Sequence, residues 1–143
     1  MKKSISLFAA LLVAVCTLAV SGCATSHDDL EPAVVDLSQF YLRGTMTNWC
    51  NDTLEDGKLT LNSDGTFSIE YTAKAVMEDF AIADSDWAGK FCGGATVTVD
   101  GTEVELAANG GNAKVSGQVA STKYKMTIRP SVKSVFVKVV TVE

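Results

Sequence analysis

The sequence predicts an all-β domain, an antiparallel β-sandwich, in residues 39–143. In this region short segments rich in β-branched and aromatic residues are separated by turn residues every eight to twelve positions, which is the spacing of sandwich strands. No amphipathic helical period interrupts them. A stretch of 105 residues built in this way is long enough to bury its own core.

An export signal is predicted ahead of this domain. Residues 1–22 begin with a positively charged end that carries two lysines, followed by an apolar run of about 16 residues at positions 5–20. This is the layout of a secretory signal, and the run is too short for a comfortable membrane span. We therefore exclude residues 1–22 from the folded protein.

The end of the signal reads LAVSGC at positions 18–23, which resembles the bacterial lipoprotein lipobox. The resemblance implies cleavage before Cys23 and acylation of this cysteine, so that several acyl chains anchor the protein stably. Because Ala24 is not the aspartate associated with inner-membrane retention, we expect the outer membrane. The alternative is a soluble secreted protein with a chance cysteine.

Residues 23–38 are predicted to form a flexible, lipidated tether, because they are polar and acidic with no sustained apolar period. They contain His27, the single histidine of the chain, which we interpret as a solvated linker residue. The formal charge of −5 becomes about −7 once the signal and its two lysines are removed. Such an acidic chain lacks the basic surface that nucleic acid requires.

Within the domain, residues 66–72 give the clearest strand, since Phe67, Ile69 and Tyr71 alternate with polar side chains. The turn NSDG at 62–65 ends in a glycine that accepts the positive φ of a hairpin connection. Similar turn residues stand at 100–101 and 109–112. The predicted strands are residues 39–43, 58–61, 66–72, 79–83, 95–99, 103–106, 114–119, 123–129 and 134–142.

Two cysteines remain after Cys16 is removed with the signal and Cys23 is acylated, namely Cys50 and Cys92. An even pair in an exported protein predicts a disulfide. A bridge around about 41 intervening residues would contribute roughly 3–4 kcal/mol by loop closure. The alternative is two separate buried thiols.

The sequence contains no recognisable catalytic or metal-binding constellation. If Gly65 is placed at the sixth position of a calcium loop, Thr60 and Tyr71 occupy positions that require carboxylates. There is no phosphate loop, dinucleotide motif or paired zinc-ligand spacing, and the acidic residues 84–86 are assigned to a solvated turn rather than to an irregular calcium site. We therefore predict a protein that is not an enzyme and that uses no cofactor or metal.

Trp49 and Trp87 are the remaining candidates for function. Each follows a predicted strand and stands among small and polar residues rather than in an alternating apolar pattern. An exposed indole offers a rigid apolar face on which the C–H face of a glucose ring can stack. The alternative is that one or both indoles cap the end of the core.

The surroundings of both tryptophans resemble a known class of module. FYLRGTMTNW at 40–49 and FAIADSDW at 80–87 are similar to the opening and central motifs of the starch- and glycogen-binding modules of the immunoglobulin-like early-set type. These modules occur beside pullulanases and other amylase-family enzymes. The resemblance covers roughly residues 39–143 and implies an immunoglobulin-like sandwich.

The resemblance implies that Trp49 and Trp87 form a platform for an α-1,4-linked glucan and that Asn48 adds a polar contact. A basic residue that often assists in these modules is replaced by Ala81. We expect Lys90 to substitute for it, and Ala81→Lys to strengthen binding if this missing contact limits affinity. A Cys50–Cys92 bridge would hold the two tryptophan loops together.

The sequence thus supports two hypotheses of different classes. The first is a non-catalytic lipoprotein that holds α-glucan at the bacterial envelope, with an amylase-family enzyme as a further partner. The second is a structural or protein-interaction lipoprotein with the same sandwich and no sugar binding. The exposure of the two indoles discriminates between them.

The lipobox generates a prediction about anchoring. Cys23→Ala removes the thiol that would be acylated, so the variant should leave the membrane fraction or remain unprocessed. Cell fractionation followed by mass analysis measures this. A variant that still fractionates with the outer membrane would contradict the lipid anchor.

Overall fold

Ten strands form two five-stranded sheets in residues 31–143, the part of the chain that the computed structural model describes. The predicted signal of residues 1–22, Cys23 and His27 lie outside the described residues. The strands are β1 Tyr41–Gly44, β2 Thr60–Leu61, β3 Phe67–Thr72, β4 Met77–Ala83, β5 Lys90–Phe91, β6 Thr96–Thr98, β7 Val104–Ala107, β8 Ala113–Ser116, β9 Lys123–Pro130 and β10 Ser134–Thr141. Two short 3-10 helices, Thr45–Cys50 and Leu54–Gly57, separate β1 from β2.

The first sheet has the strand order β1-β4-β8-β6, and β5 pairs with β4 beside β8. The second sheet has the order β2-β3-β9-β10-β7. All pairs are antiparallel except β6 and β8, which are parallel. The predicted antiparallel sandwich is confirmed, with this single parallel pair as a local departure.

Alternation along the strands places the core between the two sheets. On the first sheet Leu42 lies opposite Ile82, and on the second sheet Ile128 lies between Phe67 and Val137. Side chains two residues apart on a strand share a face, so each strand supplies a row of apolar groups to the core. The largest fully buried side chains are those of Phe80, Leu37, Leu42, Ile82, Leu106, Met126, Ile128, Val97, Val115, Val135, Val137 and Val139.

Each of the nine predicted strands overlaps a strand of the structure, whereas β5 and the two 3-10 helices were not predicted. Two-residue strands and single helical turns are too short to carry a periodic apolar pattern. At the N-terminal end, Leu37 is fully buried and Val35 donates a backbone hydrogen bond to Ser131. The last residues of the segment assigned to the tether therefore pack against the sandwich.

One end of the core is closed by a buried polar network around Glu78, which is 3% exposed. Its carboxylate accepts hydrogen bonds from the Thr45 hydroxyl, the Lys74 backbone N–H and the Gln118 amide at 3.1–3.3 Å. The Tyr71 hydroxyl donates to Gln118 Oε1 at 2.7 Å. Burial raises the pKa of Tyr71, so this hydroxyl remains protonated and keeps its donor role.

The predicted Cys50–Cys92 disulfide is absent, and both cysteines are buried free thiols. The Cys50 sulfur lies 3.4 Å from the Leu42 carbonyl, while the Cys92 sulfur lies 3.2 Å from the Asn109 carbonyl. Each thiol thus has its own backbone acceptor, that of Cys50 in β1 and that of Cys92 in the turn after β7. A side chain at Gly57 would collide with the Leu42 carbonyl and with the Cys50 sulfur, so this glycine leaves room for the thiol. The alternative of two separate buried thiols is the correct one.

Free thiols generate a second prediction. Burial raises the pKa of the Cys50 thiol, which lowers its thiolate fraction and its reactivity. In the native protein Cys50 and Cys92 should react slowly with iodoacetamide, and both should react fully once the protein is unfolded without reductant. Peptide mass analysis measures the labels. A cross-linked peptide containing both cysteines would contradict the structure.

Candidate functional site

The candidate site lies on the outer face of the first sheet, around Arg43. Along β1 the side chain of Leu42 faces the core, so the next residue, Arg43, faces outward. Arg43 lies opposite Ala81 of β4 in the strand register. The middle of the β1–β4 pair therefore presents a cation on its outer face.

Trp49 and Trp87 approach this cation from opposite directions. Trp49 lies in the 3-10 segment Thr45–Cys50, which follows the end of β1, and Trp87 lies in the loop of residues 84–89, which follows the end of β4. Because β1 and β4 are antiparallel, the two segments start at opposite ends of the strand pair. They meet at Arg43.

The Arg43 guanidinium joins the two segments. Its Nε and Nη2 each donate a hydrogen bond to the Trp49 carbonyl at 3.2 Å, and its Nη1 donates to the carbonyls of Asp84 and Ser85 at 3.1 and 3.0 Å. Its Cζ lies 4.1 Å from the centroid of the Trp87 ring, which is a cation–π contact. Arg43 is 7% exposed, so these bonds are stronger than they would be in water.

The two indoles form a tilted pair. Their ring centroids are 6.1 Å apart and their planes meet at 42°. Trp87 is 38% exposed, and Trp49 is half-buried. The rings are therefore neither coplanar nor buried as core residues are, and they present a bent, partly exposed aromatic surface.

Both tryptophans have left-handed backbone conformations. The φ angles are 58° at Trp49 and 64° at Trp87, and Asn48 and Cys50 have φ angles of 50° and 56°. Such angles cost a residue other than glycine on the order of 1–3 kcal/mol and persist only where the surroundings hold them. The hydrogen bonds from Arg43 to the Trp49 carbonyl are one such restraint.

The loop that carries Trp87 is closed by Asp84 and Gly89. The Asp84 N–H donates to the Gly89 carbonyl at 3.1 Å, and the Gly89 N–H donates to Asp84 Oδ2 at 2.8 Å. A Cβ at Gly89 would lie 3.2 Å from both Asp84 Oδ2 and Phe40 Cζ, so a larger residue is disfavoured there. Asp84 Oδ1 is buried without a hydrogen-bond partner in the described part of the chain.

The structure corrects the expectation attached to Ala81. This residue is fully buried although it lies on the outer face, and it stands beside the buried Arg43. A lysine there would bury a second cation next to the first, so Ala81→Lys should destabilise the site rather than strengthen it. Lys90 is half-buried and lies opposite Ala83 on this same face, and its role at the platform stays a prediction.

Asn48 is exposed, and its side chain contacts Asp52, whereas the side chain of Trp49 packs beside Trp87. Its Nδ2 donates to Asp52 Oδ2 at 2.9 Å, and it lines an open groove beside β3. The structure thus brings together Trp49 and Trp87, places Lys90 on the same sheet face, and directs Asn48 away toward the groove.

Arg43 is the site residue that sequence reasoning missed. Its signal was present, since it is the arginine of the LRG sequence that carries the resemblance. A charged residue inside a strand of buried residues needs partners, and such a residue is itself a reason to suspect a site.

No group of three or more potential metal ligands is found among residues 31–143. The helices in this part of the chain are also too short to span a membrane.

Comparisons with known proteins agree with this fold. The sequence matches no protein-family model and no curated protein. Among solved structures, the chain is similar to one described as "Ligand induced structure of AmyP-SBD", with a TM-score of 0.52 and 14% sequence identity. The alignment covers 80% of this chain and 91% of that chain. At this identity the likeness establishes a shared β-sandwich fold.

The role of Arg43 generates a third prediction. Lysine keeps the charge of Arg43 but cannot reproduce the planar fork that reaches three carbonyls, so Arg43→Lys should lower the free energy of unfolding by about 2–4 kcal/mol. The two indoles should also separate, which would weaken their coupled near-ultraviolet circular dichroism signal. Urea unfolding and the spectrum measure the two effects.

Arg129→Lys is the matched control. Arg129 also lies over an aromatic ring, that of Phe136, at 4.3 Å, but its ion pair with Glu103 is exposed at the surface. Exposed ion pairs contribute little to stability, so this variant should leave unfolding nearly unchanged. Equal effects of the two substitutions would contradict the role assigned to Arg43.

Proposed function

We propose that this protein is a non-catalytic carbohydrate-binding lipoprotein that holds an α-glucan of the starch or glycogen type on Trp49 and Trp87. The observation that carries the proposal is the tilted indole pair fixed by Arg43. Aromatic rings held in place before the ligand arrives lose little conformational freedom on binding. Such a preorganised pair suits the recognition of a weakly binding polymer.

The geometry of the pair favours a curved chain. Stacking on an indole requires the sugar ring to lie parallel to it, so consecutive units on these two rings must differ in orientation by about the 42° between the planes. Units of an α-1,4-linked glucan turn progressively along a helical path, whereas those of a β-1,4-linked glucan form a flat ribbon. The pair therefore fits starch better than cellulose.

The fold supports the same assignment. The solved structure with which this chain shares its sandwich is a starch-binding domain, and binding modules of this kind carry no catalytic machinery of their own. We further propose that acylation at Cys23 anchors the protein at the outer membrane. There it would hold α-glucan, or present it to an amylase-family enzyme, at the cell envelope.

A second function is favoured by a specific observation. One face of the Trp87 ring is covered by Arg43, and Trp49 is half-buried against Trp87. These contacts also fit a pair that stabilises the two loops, or contacts a partner protein, in a structural lipoprotein without sugar binding. Binding measurements decide between the two.

The proposal predicts the loss of sugar binding in two variants. Trp49→Ala and Trp87→Ala each remove an apolar stacking surface worth about 2 kcal/mol or more, so each should weaken glucan binding by at least about thirtyfold. Arg43 binds the backbone carbonyls of Trp49, Asp84 and Ser85, and these hydrogen bonds survive the loss of either indole. The melting temperature should therefore fall by only a few degrees.

Isothermal titration with maltoheptaose and retention on insoluble starch, glycogen, cellulose and chitin measure the effect. Phe136→Ala serves as the control, because it removes an arginine-covered ring from the outer face of the other sheet. If the unaltered protein is retained on no α-glucan, or if both tryptophan variants fail to fold, the structural function takes the place of sugar binding.

A further inference from the structure

Tyr41 is a further aromatic residue on the sheet face that carries the tryptophan site. Leu42, the next residue of β1, is fully buried in the core, and side chains alternate between the two faces of a strand, so Tyr41 and Arg43 both face outward. Two residues along a strand span about 7 Å. The Arg43 Cζ in turn lies 4.1 Å from the centroid of the Trp87 ring. Tyr41 is therefore the next outward residue along β1 from the cation that Trp87 contacts.

The strand register also places Tyr41 at the base of the loop that carries Trp87. Tyr41 lies opposite Ala83, the last residue of β4. Lys90, the first residue of β5, lies opposite Ala83 on the other side of β4. The loop of residues 84–89 starts directly after Ala83 and ends directly before Lys90. Tyr41, Ala83 and Lys90 thus form a row across three strands beside the Trp87 loop.

The middle of this row is covered although it faces outward. Ala83 is fully buried, which a side chain as small as alanine achieves on an outer face only where larger neighbours cover it. Its two cross-strand neighbours are Tyr41 and Lys90. Tyr41 itself is half-buried, so part of its ring is packed and part is accessible. A tyrosine restrained in this way loses little conformational freedom when it binds a ligand.

The hydroxyl of Tyr41 is uncommitted, unlike those of the two other tyrosines of the chain. The buried Tyr71 hydroxyl donates to Gln118 at 2.7 Å, and the buried Tyr124 hydroxyl accepts from the Val119 N–H at 2.9 Å. The Tyr41 hydroxyl makes no hydrogen bond within residues 31–143. A phenol can both donate and accept a hydrogen bond, and tyrosines with an apolar ring and a free polar end are enriched at binding interfaces.

The opposite direction along the sheet offers no such residue. Asp79 precedes Ala81 by two residues on β4 and shares its outer face, and Lys114 lies opposite Asp79. These two side chains are already paired with each other at 2.6 Å. A sugar chain that continues beyond the indoles therefore meets an available aromatic ring and hydroxyl on the Tyr41 side and a closed ion pair on the other side.

We propose that Tyr41 is a third sugar-contacting residue, which extends the indole pair of Trp49 and Trp87 by a further glucose unit along β1. The accessible part of its ring packs against C–H groups of that unit, and its hydroxyl exchanges a hydrogen bond with a sugar hydroxyl. This inference rests on the proposed function and names the direction in which the bound glucan leaves the tryptophans.

Chain length separates Tyr41 from the indole pair experimentally. Maltose has two glucose units and is used up by the two indoles, whereas maltoheptaose also reaches Tyr41. Tyr41→Phe removes only the hydroxyl and should weaken maltoheptaose binding by about fivefold. Tyr41→Ala also removes the ring and should weaken it by at least about tenfold. Both variants should bind maltose as the unaltered protein does, as measured by isothermal titration of the purified protein.

Tyr124→Phe is the matched control. It removes the same hydroxyl from a tyrosine that is buried in the core, so it should leave the affinity for both sugars unchanged. Trp87→Ala should weaken the binding of both sugars.

Nitration of tyrosine rings by tetranitromethane tests the contact without a substitution. Because Tyr71 and Tyr124 are buried, Tyr41 should be nitrated first in the folded protein. Bound maltoheptaose should slow the nitration of Tyr41, whereas saturating maltose should not. Peptide mass analysis measures the modified fraction, and this result remains available if Tyr41→Ala fails to fold.

The outcomes distinguish this inference from the proposed function. If both Tyr41 variants bind maltoheptaose normally while Trp87→Ala does not, the role of Tyr41 is wrong and the proposed function stands. Equal losses for maltose and maltoheptaose would also overturn it, because Tyr41 would then act only by supporting the indoles. If the unaltered protein binds neither sugar, the proposed function fails and the role of Tyr41 fails with it.

Discussion

The candidate site depends on a cation that is buried without a carboxylate partner. Arg43 is 7% exposed, and no ion pair to it is found among the described residues. A buried charge is costly unless polar groups replace its water. Three backbone carbonyls and the face of Trp87 do so. Because these partners belong to two separate loops, the need to solvate one guanidinium brings both tryptophans to one place.

A second buried group, Glu78, carries the opposite charge and is stabilised in the same way. Glu78 is buried with no ion pair in the described residues, and N–H, hydroxyl and amide donors replace its water. Thr45 links this carboxylate to the very segment that continues to Trp49. The 3-10 segment Thr45–Cys50 is therefore restrained at one end by an anion and at the other by a cation, which supports its left-handed residues.

Much of the fold was predictable because the alternation of apolar and polar residues marks a strand in the sequence. Phe67, Ile69 and Tyr71 predicted β3 and its buried face correctly, whereas β5 has only two residues and no period to read. The prediction that Trp49 and Trp87 lie together came from the resemblance to starch-binding modules. The 42° tilt between the two rings could not be predicted from the sequence. Both tryptophans have positive φ angles, which are rare for bulky residues and which the sequence therefore does not predict.

The cysteines show why proximity in a sequence motif is a poor guide to a bond. Cys50 directly follows Trp49, and Cys92 lies five residues after Trp87, so a bridge between them was a reasonable way to join the loops. The structure joins the loops through Arg43 instead, and each thiol turns to its own carbonyl. The arrangement of the indoles then depends on a desolvated cation rather than on oxidation, so a reducing agent that opens disulfides has no bond to break at this site.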